Sequence, residues 1–292
     1  MSVCELDKDV QYALGIDEAG RGPVLGPMVY ACAYCPLSEK ENIRTRDGFQ
    51  DSKQLSEHQR ESMFERIVGA PDVGFEACIL SAEDLSNKML RASKYNLNQI
   101  SHDTAAELIA RALTKGVPLK EVYVDTVGDP GRYQENLSRK FPRLAITVSK
   151  KADSLFPIVS AASIVAKVIR DQCLRTWKFK EKGVEFSREF GSGYPADPFT
   201  KQWLEGSLDK LFGYPTLIRF SWATTDNMLE DHDAHAVAWE ADVNDDGKGK
   251  KGKKQIQRTA ALVRRATFMT PKSTRWNYYA KRGMQTATTS DF

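Results

Sequence analysis

Short apolar runs bounded by Gly, Pro or charged residues recur through the first half of the chain. They predict strands over residues 12–16, 28–34, 75–80, 122–124 and 144–148. Between them the apolar spacing lengthens to that of helices. Residues 52–67 form one such stretch, and 101–113 another, with Ser101 as the expected N-cap of an Ala-rich face. A third covers 159–177, where Ile164, Val165, Val168 and Ile169 share one side. The first three strands follow one another closely, which favours antiparallel pairing. The last two are separated by a helix-compatible segment, 130–141, which favours a parallel crossover. The expected fold is α/β, a mixed sheet with helices on its faces.

The pattern changes after Trp222. Residues 225–239 predict one more helix, and 242–254 is a run of Asp, Gly and Lys with almost nothing to bury. An aromatic cluster, Trp276, Tyr278 and Tyr279, follows near the end. This divides the chain into a catalytic domain over 1–224 and an extension over 225–292, made of a helix, a basic linker and a tail suited to docking on a partner.

Hydrophobic residues make up 41% and charged residues 28% of the 292, enough to bury a sizeable core. No stretch approaches the roughly 18 apolar residues of a membrane span, so no membrane association is expected. The first ten residues lack the basic-then-apolar pattern of a secretory signal. Five cysteines, scattered from Cys4 to Cys173, do not form a disulfide framework, and a reducing intracellular compartment is the natural reading. The net charge of +3 conceals a division. Residues 244–292 carry 12 Lys and Arg against 3 Asp and Glu, and the remainder carries 30 against 36. An acidic body with a basic tail suggests a carboxylate-rich site, and for the tail either an anionic partner or, equally on composition, a solvated, disordered extension.

The chemistry concentrates in Gly15-Ile16-Asp17-Glu18-Ala19-Gly20-Arg21-Gly22-Pro23, where two carboxylates end an apolar strand and enter a Gly-rich turn. Adjacent strand residues point to opposite faces, so Asp17 and Glu18 would share a site only where the strand ends or bends. The glycines permit that, and they let a ligand approach bare backbone. A surface turn with two solvated acids is the blander reading. Asp125 ends the run Val122-Tyr123-Val124, and Asp153 follows the run ending at Val148. Singly, each would serve as an N-cap or turn former. Together, Asp17, Glu18, Asp125 and Asp153 are four carboxylates at the ends of three strands, and neighbouring strands would bring them to one edge. Like charges that close call for cations. An all-oxygen set suits Mg²⁺ or Mn²⁺, and the matching chemistry is two-metal phosphoryl hydrolysis.

Competing motifs are weaker. Cys32 and Cys35 have CxxC spacing without a second pair, and no His lies near the acids for a zinc site or a catalytic triad. Arg21, Lys53, Lys150, Lys151, Ser160, Ser163, Lys167 and Arg170 are residue types that position a phosphate backbone. Taken singly, each charged member of this set reads better as a solvated surface group. Tyr194, in Gly191-Ser192-Gly193-Tyr194-Pro195, would stack on a sugar or base, or pack as a turn aromatic.

Several motifs occur in the right order for one family. The stretch from Gly15 to Pro27 resembles the ribonuclease HII family. So do Asp51-Ser52-Lys53, Asp125-Thr126-Val127-Gly128, Lys151-Ala152-Asp153, Ser160-Ala161-Ala162-Ser163 and the Gly191–Pro195 loop. Tyr95-Asn96-Leu97-Asn98, Ser101-His102-Asp103-Thr104 and the element from Trp276 to Met284 resemble the catalytic A subunit of the eukaryotic type 2 enzyme. The resemblance implies a ribonuclease H-like five-stranded mixed sheet flanked by helices, with a helical C-terminal extension.

It also implies hydrolysis of the RNA strand of RNA–DNA hybrids, and incision 5′ of single ribonucleotides in duplex DNA, leaving 3′-hydroxyl and 5′-phosphate ends. The roles it implies are metal binding and catalysis for Asp17, Glu18, Asp125 and Asp153, with two Mg²⁺ ions, or Mn²⁺ in their place. Gly20, Arg21 and Gly22 would recognise the ribose 2′-hydroxyl largely through backbone. Tyr194 would pack on the following deoxyribose, and Lys53, Asn96, Ser160, Ser163 and Arg170 would hold phosphates or nearby backbone. A heterotrimer with two accessory subunits, nuclear residence and a role in replication and ribonucleotide repair follow from the same resemblance. The Lys/Gly-rich run at 248–254 matches nothing in the family. Two other readings remain at this point: a non-catalytic hybrid-binding scaffold acting through the basic tail, and the same fold performing DNA resolution or strand transfer.

Overall fold

A computed structural model describes residues 6–43, 55–93, 95–235, 237 and 239. In chain order the elements begin with β1 (Tyr12–Ala19), β2 (Met28–Pro36), a short 3₁₀ turn (Leu37–Glu39), α1 (Glu57–Gly69) and β3 (Gly74–Leu80). There follow α2 (Ala82–Met89), α3 (Leu97–Thr114), β4 (Leu119–Asp125), α4 (Pro130–Lys140) and β5 (Ala145–Ser149). The last are α5 (Ala152–Leu155), α6 (Pro157–Arg175), α7 (Pro198–Ser207) and α8 (Ala223–Asp231). The strands form one sheet in the order β3-β2-β1-β4-β5. β1, β2 and β3 pair antiparallel, while β1–β4 and β4–β5 are parallel. Both pairing modes expected from the connection lengths are present, and each strand extends past its apolar run.

Helix boundaries differ more, for local reasons. Ser101 does not cap its helix. α3 begins earlier, at Leu97, where Asn96 and Gln99 form a reciprocal capping box, and Ser101 is buried within it. Ser56, boxed with Gln59, starts α1 at Glu57, later than the apolar pattern suggests. α2 and α7, which the apolar pattern does not announce, open on side-chain caps from Ser81 and Asp197. The helix expected over 225–239 is α8, which stops at Asp231, with Asp233 in the left-handed region just beyond. The linker from 242, the basic run and the aromatic tail lie outside the described residues, as does the two-unit division drawn from them.

The sheet is buried on both faces. Tyr12, Leu14, Ile16 and Tyr30 pack with α3 on one side, and Ala31, Ala33 and Cys35 pack under α6 on the other. Cys32 and Cys35 belong to opposite faces, which dismisses them as a metal pair. A third cluster gathers Val24 and Leu25 with Trp203, Leu204, Tyr214, Leu217 and Ile218, tying the turn after β1 to the last part of the fold.

α6 lies directly on β1 because Gly15 has no side chain. A Cβ there would stand 2.5 Å from the carbonyl of Ile158 and 2.6 Å from the nitrogen of Val159. Backbone cannot yield as a side chain tip does. Gly15→Ala should therefore push α6 off the sheet at a cost of about 3 kcal/mol, measured as a lower thermal midpoint with a matching loss of activity.

Candidate active site

Ile16 pairs with Val124 across the parallel β1–β4 ladder, so Asp17 and Asp125 continue side by side at the same end of the sheet. Asp125 is the last residue of β4, and its Oδ1 accepts the Ala152 N–H at 2.8 Å, drawing in the turn that carries Asp153. Lys151 adopts the left-handed conformation to make that turn. Asp17 and Asp153 are buried and Asp125 is half-buried.

Glu18 departs from the sequence expectation. β1 neither ends nor bends at the acid pair but continues to Ala19, so the two side chains alternate. Asp17 pairs with Ala31 on the α6 face, whereas Glu18 pairs with Tyr30 on the α3 face. The four acids thus approach one sheet edge from both sides. Among the described residues, no three His, Cys, Asp or Glu side chains stand close enough to hold a metal ion as they are.

Their electrostatics still couple them. Burial first, and then Asp125, raises the Asp17 carboxyl to about 7; a Ser163 hydrogen bond opposes this and Asp153 adds to it. Burial raises Glu18 to about 8, followed by Asp17 and Asp125, with Arg21 opposing. Glu18 Oε2 is buried with no hydrogen-bond partner among the described residues. Two buried carboxyls raised by burial and then by neighbouring carboxylates, a Glu18 oxygen left orphaned, and a donor set that is all oxygen, fit a hard divalent cation. Asp17, Glu18, Asp125 and Asp153 are the residues that would hold it.

The other predicted residues fall into three groups. Gly20, Arg21, Gly22 and Tyr194 come together. Gly20 has φ +78°, and a Cβ on Gly22 would lie 3.1 Å from the Tyr194 ring. Arg170 joins them, packed where a Gly20 side chain would be. It is buried, and its Nε and Nη2 have no hydrogen-bond partner among the described residues. Ser160, Ser163 and Asn96 are engaged structurally. Both serines are buried in α6, Ser163 against Asp17, and the Asn96 side chain is committed to capping α3. Asn98, not Asn96, reaches the loop and accepts from Arg21, whose Nη1 also donates to Ser101 at 2.7 Å. Lys53 lies outside the described residues.

Two residues that the motifs do not mark hold this loop. Arg219 is fully buried and donates to the carbonyls of Gly26 at 2.8 Å, Arg21 at 3.2 Å and Gly20 at 2.6 Å. The Trp222 indole donates to the Gly22 carbonyl at 3.2 Å, with the Arg219 guanidinium over its ring. A charge inside the apolar run Leu217-Ile218-Arg219-Phe220 was the available signal, because such a residue is buried only with partners.

A five-stranded mixed sheet bearing carboxylates at the ends of its central strands is the architecture of ribonuclease H-like hydrolases. Residues 14–225 match the ribonuclease HII family, and the chain belongs to that family. It is 51% identical over 245 residues to the A subunit of ribonuclease H2 from Arabidopsis thaliana, covering 84% of this chain and 82% of that one. The A subunit of the Bos taurus enzyme is 51% identical over 237 residues, 81% of this chain and 79% of that one. The crystal structure of ribonuclease H2 from Pyrococcus horikoshii OT3 superposes with a TM-score of 0.63 at 31% identity, over 76% of this chain and 98% of that one. The resemblance to the eukaryotic A subunit, read from the motifs, is thus shown, and with it ribonuclease H activity.

Proposed function

We propose that this chain cleaves the RNA strand of RNA–DNA hybrids and incises 5′ of single ribonucleotides in duplex DNA, leaving 3′-hydroxyl and 5′-phosphate ends. The observation that carries this reading is the seating of the Gly20–Gly22 loop, braced by Arg219 and flanked by Tyr194, beside the carboxylates Asp17, Glu18, Asp125 and Asp153 at one end of the sheet. Asp17, Glu18, Asp125 and Asp153 would hold two divalent cations, Mg²⁺ or Mn²⁺, which would supply activation of a water for attack and charge stabilisation at the departing 3′-oxygen. The loop fixes the ribonucleotide by its 2′-hydroxyl, and Tyr194, half exposed, packs against the sugar that follows. Arg170 presents its unpartnered N–H groups to a phosphate. The relatives are named as one lettered subunit, which supports an assembly with further subunits; on this reading they are two accessory subunits. Nuclear residence and ribonucleotide removal during replication and repair complete the reading. A non-catalytic scaffold would not need carboxylates buried at such electrostatic cost.

The test is a labelled DNA duplex carrying one ribonucleotide, incubated with the full chain and Mg²⁺ beside an all-DNA control, with and without the accessory subunits. A single cut 5′ of the ribonucleotide is expected, absent in the control and lost with chelator. Cutting of the all-DNA duplex would instead favour the strand-transfer class.

A further inference from the structure

The hydrogen bonds of Arg219 do more than anchor a loop. In a trans peptide unit the carbonyl of one residue and the N–H of the next point in opposite directions, and the described residues contain no cis bond. Arg219 draws the Gly20 carbonyl inward, so the Arg21 N–H faces outward. It draws the Arg21 carbonyl inward as well, so the Gly22 N–H also faces outward. Trp222 holds the next carbonyl, Gly22, and the residue after it is Pro23, which has no N–H to present. Neither the Arg21 nor the Gly22 amide makes a hydrogen bond to another of the described residues. Two successive donors are thereby aimed away from the clamp.

We propose that Arg219, seconded by Trp222, is the positioning residue that makes this loop selective for ribose over deoxyribose. It touches no substrate. It acts by fixing peptide orientation, so that the outward amides meet an oxygen that deoxyribose lacks. Several features suit it to that task. A guanidinium carries donors in a fixed fork and serves three carbonyls at once, which an ammonium or an amide cannot do with the same geometry. All three of its partners are main-chain carbonyls, so its charge polarises the very peptides whose N–H groups face the ligand. Its neighbour Arg170 packs against Gly20 where a side chain would be, so the loop is held closely at that residue. A site built to hydrogen-bond a hydroxyl rejects the ligand without it, because buried or pre-aimed donors are then left unpaired.

The inference rests on the proposed ribonucleotide reading, and the experiment separates the two. The full chain, with accessory subunits in parallel samples, is titrated by fluorescence anisotropy against a duplex carrying one ribonucleotide and against the same duplex in all-DNA form. Chelator is present so that neither is cut. The wild type should prefer the ribonucleotide duplex. Arg219→Gln should reduce that preference by about tenfold, or abolish it, while leaving affinity for the all-DNA duplex unchanged. Arg219→Lys, which can still donate to one or two carbonyls, should recover part of it. Trp222→Phe, which keeps Arg219 and removes only the indole N–H, should show a smaller narrowing.

A purely structural role would weaken both duplexes in parallel, and a parallel loss in variants that melt cooperatively would overturn the proposal. An unchanged preference in them, or no preference in the wild type, would also overturn it. Should Arg219→Gln not fold, the Lys and Trp222 variants decide. Failure of the wild type to incise at a ribonucleotide would sink the functional reading itself. Normal incision with an unmoved preference in the variants would sink only the role of Arg219.

Discussion

Asp125→Asn should leave a folded chain whose turnover falls by about 10³-fold or more, while its affinity for an RNA–DNA hybrid stays within a few fold. Asparagine is the informative replacement because the Asp125 Oδ1 accepts the Ala152 N–H. An amide oxygen can accept the same bond, so the turn leading to Asp153 is kept and only the charge is lost. Alanine would orphan the Ala152 N–H and confuse chemistry with local structure. Asp125 is also the acid that acts on both Asp17 and Glu18, from opposite faces of the sheet. Neutralising it removes a proposed ligand and relieves its neighbours together. The Asn variant, free of metal, should therefore melt higher than wild type although it is inactive. Single-turnover cleavage and a thermal melt on one preparation check both halves. Retained metal-dependent cleavage would remove Asp125 from the catalytic set.

The metal-free wild type should lose stability as pH rises, against the common behaviour of carboxylates. Asp17 and Glu18 move from ordinary values near 4 to about 7 and about 8 on folding. A carboxyl raised in the folded state contributes stability that is complete below its unfolded value and is lost as pH climbs through the folded one. The affected window runs from about pH 4 to about pH 8. Asp103, Glu121 and Asp197, whose values are lowered, lose their contribution only at more acid pH. At about 1.4 kcal/mol per pKa unit, the two raised groups amount to something on the order of 9 kcal/mol, or roughly 20 °C for a chain this size. Mg²⁺ should restore the midpoint at pH 8 and change it little at pH 5. Melts across that range with chelator and with Mg²⁺ test the sign. A chelated protein that grows more stable between pH 5 and 8 would contradict the burial of these acids.

The sheet was legible because its strands are apolar runs set between breakers, and the connection lengths distinguish parallel from antiparallel neighbours. Helix starts were less so. Ser101 looks like a cap beside an Ala-rich face, yet the reciprocal bonds between Asn96 and Gln99 outrank it, and Ser101 ends in the core. The four acids could be found one at a time, each closing or following an apolar run. The opposite facing of Glu18 could not, because nothing local marks that β1 keeps its ladder to Ala19. Least legible was the segment after α6. Leu217, Ile218, Arg219 and Trp222 acquire meaning only from Val24, Leu25 and the loop before them, some 200 residues away.

That separation has a consequence for how the molecule is made. The contacts from Arg219 and Trp222 to Gly20, Arg21, Gly22 and Gly26 span 193 to 200 residues, almost the whole family-matched length. Contacts of such reach form late, because the loop they close must first be ordered. On the ribosome the sheet and its carboxylates can assemble from the first 175 residues, while the turn beside them waits for chain that has not yet emerged. On the proposed reading, the acids that would hold ions are thus in place early in the life of each molecule, and the loop that would discriminate between sugars is completed last.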